Sequence, residues 1–392
     1  SAAAAIAQTV AQATTTTTLV SSSPSATFGV PVTYTVTVAA ANGTTPTGTA
    51  TLLDGTAGVG TCTLAAGRCD VTTGALISGT HALSARYAGD ANHLGSTSAT
   101  LTQAIVSPTT TVVTSSGAST YGGAVTLTVT VAAADATVPT GTVSLSDGTA
   151  GIGTCTLSGG TCTLTSSALA AGTHAITARF PASARYAASV SGSLSQAVAP
   201  ASTTTTVVSS NAASTYGGSV TFTVTVATAN GTTASGSVSV LDGAASIGTC
   251  ALASGSCSVT TSTLGAGGHP MSARYAGDAN HASSTSAQID QTVAQAATTT
   301  SVASSSLSSA FGASVTFTVT VSPAAAGGSA TVYDGANALG TCTLVSGVCS
   351  ISSAALTAGS HAIGARYAGT ANYATSAAAA IAQTVAQATT TT

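Results

Sequence analysis

Residues 32–38 read VTYTVTV, and the same line returns as VTLTVTV at 125–131 and as VTFTVTV at 220–226 and 315–321. At a period of two, Val32, Tyr34, Val36 and Val38 share one face while Thr33, Thr35 and Thr37 share the other. A stretch that is apolar on one face and hydroxylic on the other predicts a half-buried antiparallel strand. β-branched Val and Thr favour the extended backbone, and helical periodicity is nowhere sustained. The chain reads as all-β, written four times.

The remaining signals keep the same beat. A Thr run opens each unit, at 14–18, 109–111, 203–206 and 298–300. A Gly-containing turn leads into the alternating strand, and a third strand ends in an Asp-Gly pair at Asp54, Asp147, Asp242 and Asp334. Asp-Gly between strands is a strong turn signal. Next comes C-[TA]-L-x-x-G-x-C, then H-[AP]-[LIM]-x-A-R-[YF] from His81, His174, His269 and His361, then a closing strand of the SATLTQAIV type. About seven short strands per unit, with turns at this spacing, suit a β-sandwich.

Eight cysteines pair as Cys62–Cys69, Cys155–Cys162, Cys250–Cys257 and Cys342–Cys349. Two cysteines seven apart around a Gly-containing turn are expected to face each other across a hairpin, near the separation a disulfide needs. Zinc would require four ligands at short spacing, which no unit supplies. Disulfides imply an oxidising compartment, outside the cell or in a periplasm.

Only 4% of residues are charged, with six Arg, nine Asp, no Lys and no Glu. Ordinary soluble domains carry about 25%. A net charge of −3 without a basic run excludes a nucleic-acid partner. No apolar stretch reaches the length of a spanning helix, and 4% aromatics without Trp is too few for the girdles of a membrane barrel. Membrane insertion is not expected.

The order Thr run, FG-PVT-TVTV, GT-TL-DG, GTCTL-G-C, AGTH-I-ARYAGDANH-STSA-TQ resembles the bacterial immunoglobulin-like repeat of the group-3 type, over the whole chain and four times over. The resemblance implies tandem seven-stranded sandwiches in long extracellular or surface proteins, and it brings no catalytic residues. In many such repeats the cysteine positions hold small residues. The expected organisation is the last strand of a preceding repeat at 1–13, immunoglobulin-like repeats at 14–107, 108–201, 202–296 and 297–388, and the start of another at 389–392.

No catalytic, cofactor or metal site is expected, nor a small-molecule substrate. His81, His174, His269 and His361 stand in phase with core residues and read as capping the rim of the core. His93 and His281 align with Tyr186 and Tyr373, which argues against a shared metal site. Asp90 aligns with Ser183 and Thr370, and one carboxylate is a poor calcium site, so 89–92 reads as a turn bonded to its own backbone. Arg86, Arg179, Arg274 and Arg366 lie opposite the core, free to pair with an Asp. Without Lys, Lys–Asn isopeptide cross-links are excluded.

Residues 376–392 repeat residues 1–17 (SAAAAIAQTVAQATTTT) without one substitution, a period of 375 residues. Internal relatives such as 286–300 have drifted. The chain thus reads as a window on a self-repeating polymer, and 1–13 as an orphan strand completed by a preceding covalent copy or by a neighbouring molecule. The covalent copy is the preferred reading, because 376–388 fills that role for the fourth unit. The expectation is a structural extracellular rod that associates with itself into a filament, fibre or sheath. The alternative is the stalk of a giant surface adhesin.

Overall fold

The computed structural model describes residues 5–388, and the expected repeat start at 389–392 lies outside them. The chain divides into two compact units, Ser1–Ala199 and Pro200–Thr392, each holding two of the repeats. The first repeat runs β1 (Thr15–Ser21), β2 (Ser25–Thr27), β3 (Val32–Ala40), β4 (Thr49–Asp54), β5 (Ala57–Thr63), β6 (Arg68–Thr73), β7 (Gly79–Tyr87), β8 (Ser96–Thr97) and β9 (Leu101–Val106). Seven are full strands, whereas β2 and β8 hold three and two residues.

One sheet is ordered β1-β3-β6, and the other β2-β9-β7-β4-β5 with β8 on β7. The other three repeats have the same two orders. All pairings in the first repeat are antiparallel except β2 with β9. The alternation of β3 places Val32, Tyr34, Val36 and Val38 in the core, where they meet Leu52, Leu83, Ala85 and Tyr87 from the second sheet. Buried Phe180, Phe222, Phe317, Tyr275 and Tyr367 fill the other cores.

The two-residue turn after Asp54 sets Asp54 opposite Ala57, with Gly55 at a φ of 60° that favours glycine. The cysteine segment departs from the hairpin expectation. Ala65 and Arg68 make one bridge, and the chain then splits: β5 pairs with β4 and β6 with β3. Cys62 and Cys69 therefore belong to different sheets, with Cα atoms 5.8 Å apart. Each disulfide ties the two layers together at one edge; Cys155–Cys162, Cys250–Cys257 and Cys342–Cys349 do the same. The layers are close there. A Cβ on Gly60 would stand 2.7 Å from Val71 Cγ1, and one on Gly248 equally near Val259 Cγ1.

Residues 5–12 belong to no strand, and Ala13 makes a lone bridge to His93.

Candidate functional site

Four histidine clamps recur. His81 Nδ1 lies 2.7 Å from Asp54 Oδ2 and its Nε2 lies 2.8 Å from the Ile77 carbonyl. His174 holds Asp147 and the Ala170 carbonyl, His269 holds Asp242 and Gly265, and His361 holds Asp334 and Thr357. Carbonyl and carboxylate oxygens only accept, so a ring can make both bonds at once only with a proton on each nitrogen. The Ala170 carbonyl and then Asp147 push His174 above the ordinary imidazole range, as the Thr357 carbonyl and Asp334 do for His361. For His269 burial opposes the rise, and the Gly265 carbonyl and Asp242 outweigh it. Each clamp joins the Asp of the tight turn to the loop leading into the histidine's own strand. The sequence signal was a constant Asp-to-His spacing of 27 residues in every unit, where the Asp had been read only as a turn former.

His93 and His281 do different work. His93 Nδ1 donates to Asp90 at 2.8 Å and Nε2 meets Thr44 Oγ1 at 2.7 Å; His281 makes the same pair of contacts with Asp278 and Thr232. Tyr186 replaces the imidazole in the second repeat, its hydroxyl 3.1 Å from Thr137 Oγ1. Asp90 accepts from the Thr47 and Asn92 amides. Those bonds, the Thr47 amide foremost, hold its carboxyl well below the usual range. Ser183 and Thr370 accept the corresponding backbone bonds. Among the described residues no group of three or more His, Cys, Asp or Glu could hold a metal, and the ion pairs there are all His–Asp. Among the sequence-flagged arginines, Arg366 lies 5.4 Å over the Tyr333 ring.

Two further devices were not singled out from the sequence. The Thr runs are first strands, pinned by a serine of the short strand: Thr15 and Thr17 lie 2.7 and 2.8 Å from Ser96 Oγ. Ser189, Ser284 and Ser376 pin their repeats likewise. In the closing strand, Gln103 is fully buried and accepts from Ser21 Oγ at 2.8 Å, tying the two sheets; Gln291 with Ser209 and Gln383 with Ser304 repeat the latch.

The entry to every repeat is bonded through its backbone. Ala13 N donates to Asn92 O and Leu94 N donates back to Ala13 O. Ser107, Ala201 and Ala296 make the same two-way bridge, each to the repeat it leads into. Gln12 Nε2 donates to the Asp90 carbonyl at 2.8 Å, and Gln295 Nε2 to the Thr370 carbonyl at 2.8 Å.

Within each unit the joint between repeats adds a capped amide. Ser78 N, on the loop held by the His81 clamp, donates to Asp135 Oδ2 of the second repeat at 2.9 Å. Burial acts to raise the Asp135 carboxyl, but hydrogen bonds from Ser78 and Thr137 hold it well below the usual range. In the other unit Ala266 N donates to Asn372 Oδ1 of the fourth repeat at 2.8 Å, and Tyr216 meets Tyr373 edge-on at 5.4 Å between ring centroids.

The outer face of the β1-β3-β6 sheet presents Thr16, Thr18, Thr33, Thr35, Thr37 and Thr72. Arg68 and Asp70 are its charges in the first repeat, and the corresponding strands of the other three carry none. Val20, Val112 and Val208 are 61, 55 and 64% exposed on these first strands.

Two-layered sandwiches of seven full strands, repeated in tandem and bonded at their entries, define an immunoglobulin-like array. The bacterial Ig-like domain (group 3) family matches residues 17–106, 111–199, 206–294 and 300–386. The chain belongs to that family. No curated protein matches it. Among solved structures it is similar to the fibronectin(III)-like modules of Clostridium thermocellum CbhA, at 17% identity and a TM-score of 0.21, over 46% of this chain and 92% of that one. Among the described residues no helix is long and apolar enough to cross a membrane.

Proposed function

We propose that this chain is a structural extracellular protein, a tandem immunoglobulin-like rod that builds a filament, fibre or sheath. The observation that carries this reading is the joint inside each unit, where Ser107 or Ala296 bridges to the following repeat through its backbone and Ser78 N or Ala266 N is capped by that repeat, so little slack is left between those neighbours. The inter-sheet disulfides belong to an oxidising environment and hold light cores of Ala, Val and Leu together under load. The uncharged hydroxyl faces lack the repulsion that keeps ordinary domains apart, which favours lateral contact between copies. Chemistry has no part in the role, which is to bear load and to present an inert surface.

Electron microscopy and sedimentation velocity of the purified chain over a range of concentrations test this. Linear or bundled assemblies are expected. A monomer at every concentration would favour the alternative, the stalk of a giant surface adhesin whose binding head lies in another part of the protein.

A further inference from the structure

In each unit a single peptide group carries both sides of the joint between repeats. The Ile77 carbonyl lies 2.8 Å from His81 Nε2, and the other end of that peptide, Ser78 N, donates to Asp135 Oδ2 at 2.9 Å. In the second unit the Gly265 carbonyl lies 2.8 Å from His269 Nε2, while Ala266 N donates to Asn372 Oδ1 at 2.8 Å. Each ring is held in turn by the turn Asp of its own repeat, Asp54 or Asp242, at 2.7 Å. Each cap is tied to the entry residue of the next repeat. Asp135 N donates to Ser107 Oγ at 3.3 Å, and the Asn372 carbonyl accepts from Ala296 N at 2.9 Å. A line of hydrogen bonds thus runs from the tight turn of one repeat, through an imidazole and a peptide, to the entry of the next. The two caps come from different loops: Asp135 follows the strand Val125–Ala133, and Asn372 precedes the short strand Ser376–Ala377. The cap changes between the joints, whereas the histidine-held peptide does not.

We propose that His81 and His269 are proton-operated couplers, which lock the joint peptide between neighbouring repeats when protonated and release it when neutral. The inference concerns regulation of the joints and stands whether or not copies of the chain assemble.

The chemistry follows from counting protons. A ring that donates to both a carboxylate and a carbonyl needs a proton on each nitrogen. When one proton leaves to solvent, the other stays with the carboxylate, the stronger acceptor. Nε2 then turns a lone pair toward the carbonyl oxygen, and the peptide loses its hold on one side. The amide on the other side is well enclosed, with Ser78 3% exposed, so a shift of the peptide costs the cap its geometry as well. Coupling runs in both directions, because an amide that donates to a carboxylate makes its own carbonyl a better acceptor. The charged Asp135 cap therefore favours protonated His81 more than the neutral Asn372 cap favours protonated His269. Around His81 the charges are Asp54, Asp135 and Arg185, whose Nε would stand 3.9 Å from a Cβ on Gly79; the strand opposite offers uncharged Gln103 and Thr102. Around His269 they are Asp242 and, on the strand opposite, exposed Asp290 beside Gln291.

The test follows amides and imidazoles of the 392-residue chain by NMR. Exchange protection at Ser78 and Ala266, each relative to the unfolded chain at the same pH, is compared at about pH 5.5 and about pH 8.5, either side of the ordinary imidazole value. Protection should fall at least roughly tenfold at the alkaline pH, by a larger factor than at core amides such as Val36. His81→Phe should abolish the pH dependence at Ser78 and leave it at Ala266. Should that variant not fold, Asp135→Ala reads the reverse coupling: His81 should titrate at lower pH, with roughly threefold weaker proton affinity, and His269 should not move. Protection that ignores pH, a pH dependence that survives in His81→Phe, or a His81 titration unmoved by Asp135→Ala would each overturn the coupler.

Discussion

At the scale of single residues, the histidine clamps make stability depend on pH in a defined direction. His174, His269 and His361 are raised above the ordinary imidazole range in the folded chain. A raised base binds protons more tightly folded than unfolded, so its contribution is complete below the unfolded value of about 6.5. It is lost as pH climbs through the folded value. Thermal melting should therefore fall between mildly acidic and mildly alkaline pH. Replacing all three with Gln should flatten that slope, and melting followed by circular dichroism across the range checks it. The lowered carboxyls of Asp90, Asp135 and Asp278 act in the opposite sense: their contribution is present above the usual carboxylate range and fades only in strong acid. The in-phase placement of the clamp histidines at the rim was legible from alternation alone. Their Asp partners were not, because a period of two says which face a residue takes and nothing about what stands opposite it.

Among elements, the consequential feature is the split between β5 and β6. The Cys62–Cys69 spacing was compatible with a hairpin, and the local turn is there. Sheet membership is decided by competition for partners, and β4 and β3 take one strand each. The disulfide thus spans the layers at an edge where Gly60 lets them approach. Closing a loop of this length contributes about 2–3 kcal/mol in the chain-entropy model. Reduction should lower each repeat's stability by about that amount while leaving the strand pairings intact. Denaturant unfolding with and without reductant, alongside far-ultraviolet circular dichroism, measures both. Destabilisation of the β1-β3-β6 sheet alone would contradict a staple between layers. The Thr–Ser pins and Gln latches escaped the sequence reading for a related reason. Thr and Ser are so abundant here that no pairing among them stands out, and their partners lie far along the chain, 81 residues apart for Thr15 and Ser96.

For the whole molecule the joints matter most. Two joints cap the same amide of the preceding repeat with different side chains, Asp135 in one unit and Asn372 in the other. Asp135→Ala should speed hydrogen exchange at Ser78 by roughly tenfold, about 1.4 kcal/mol of lost protection, without lowering the melting of either core. Asp135→Asn should restore most of the protection, since an amide oxygen can also accept; Asn42 and Asn230 hold the corresponding positions in the first and third repeats. Unchanged exchange in the Ala variant would show that the bridged linker alone stiffens the joint.

The sequence by itself determined the all-β class, the four-fold beat, the core face of each alternating strand, the Asp-Gly turns and the family. Each follows from local physics: side-chain alternation, backbone preference at turns, and self-similarity along the chain. The tertiary structure alone decided which sheet each cysteine strand joins, which Asp each histidine holds, and which amide each joint caps. Those contacts form between segments brought together by crossovers, and alternation fixes the orientation of a residue without fixing its neighbour.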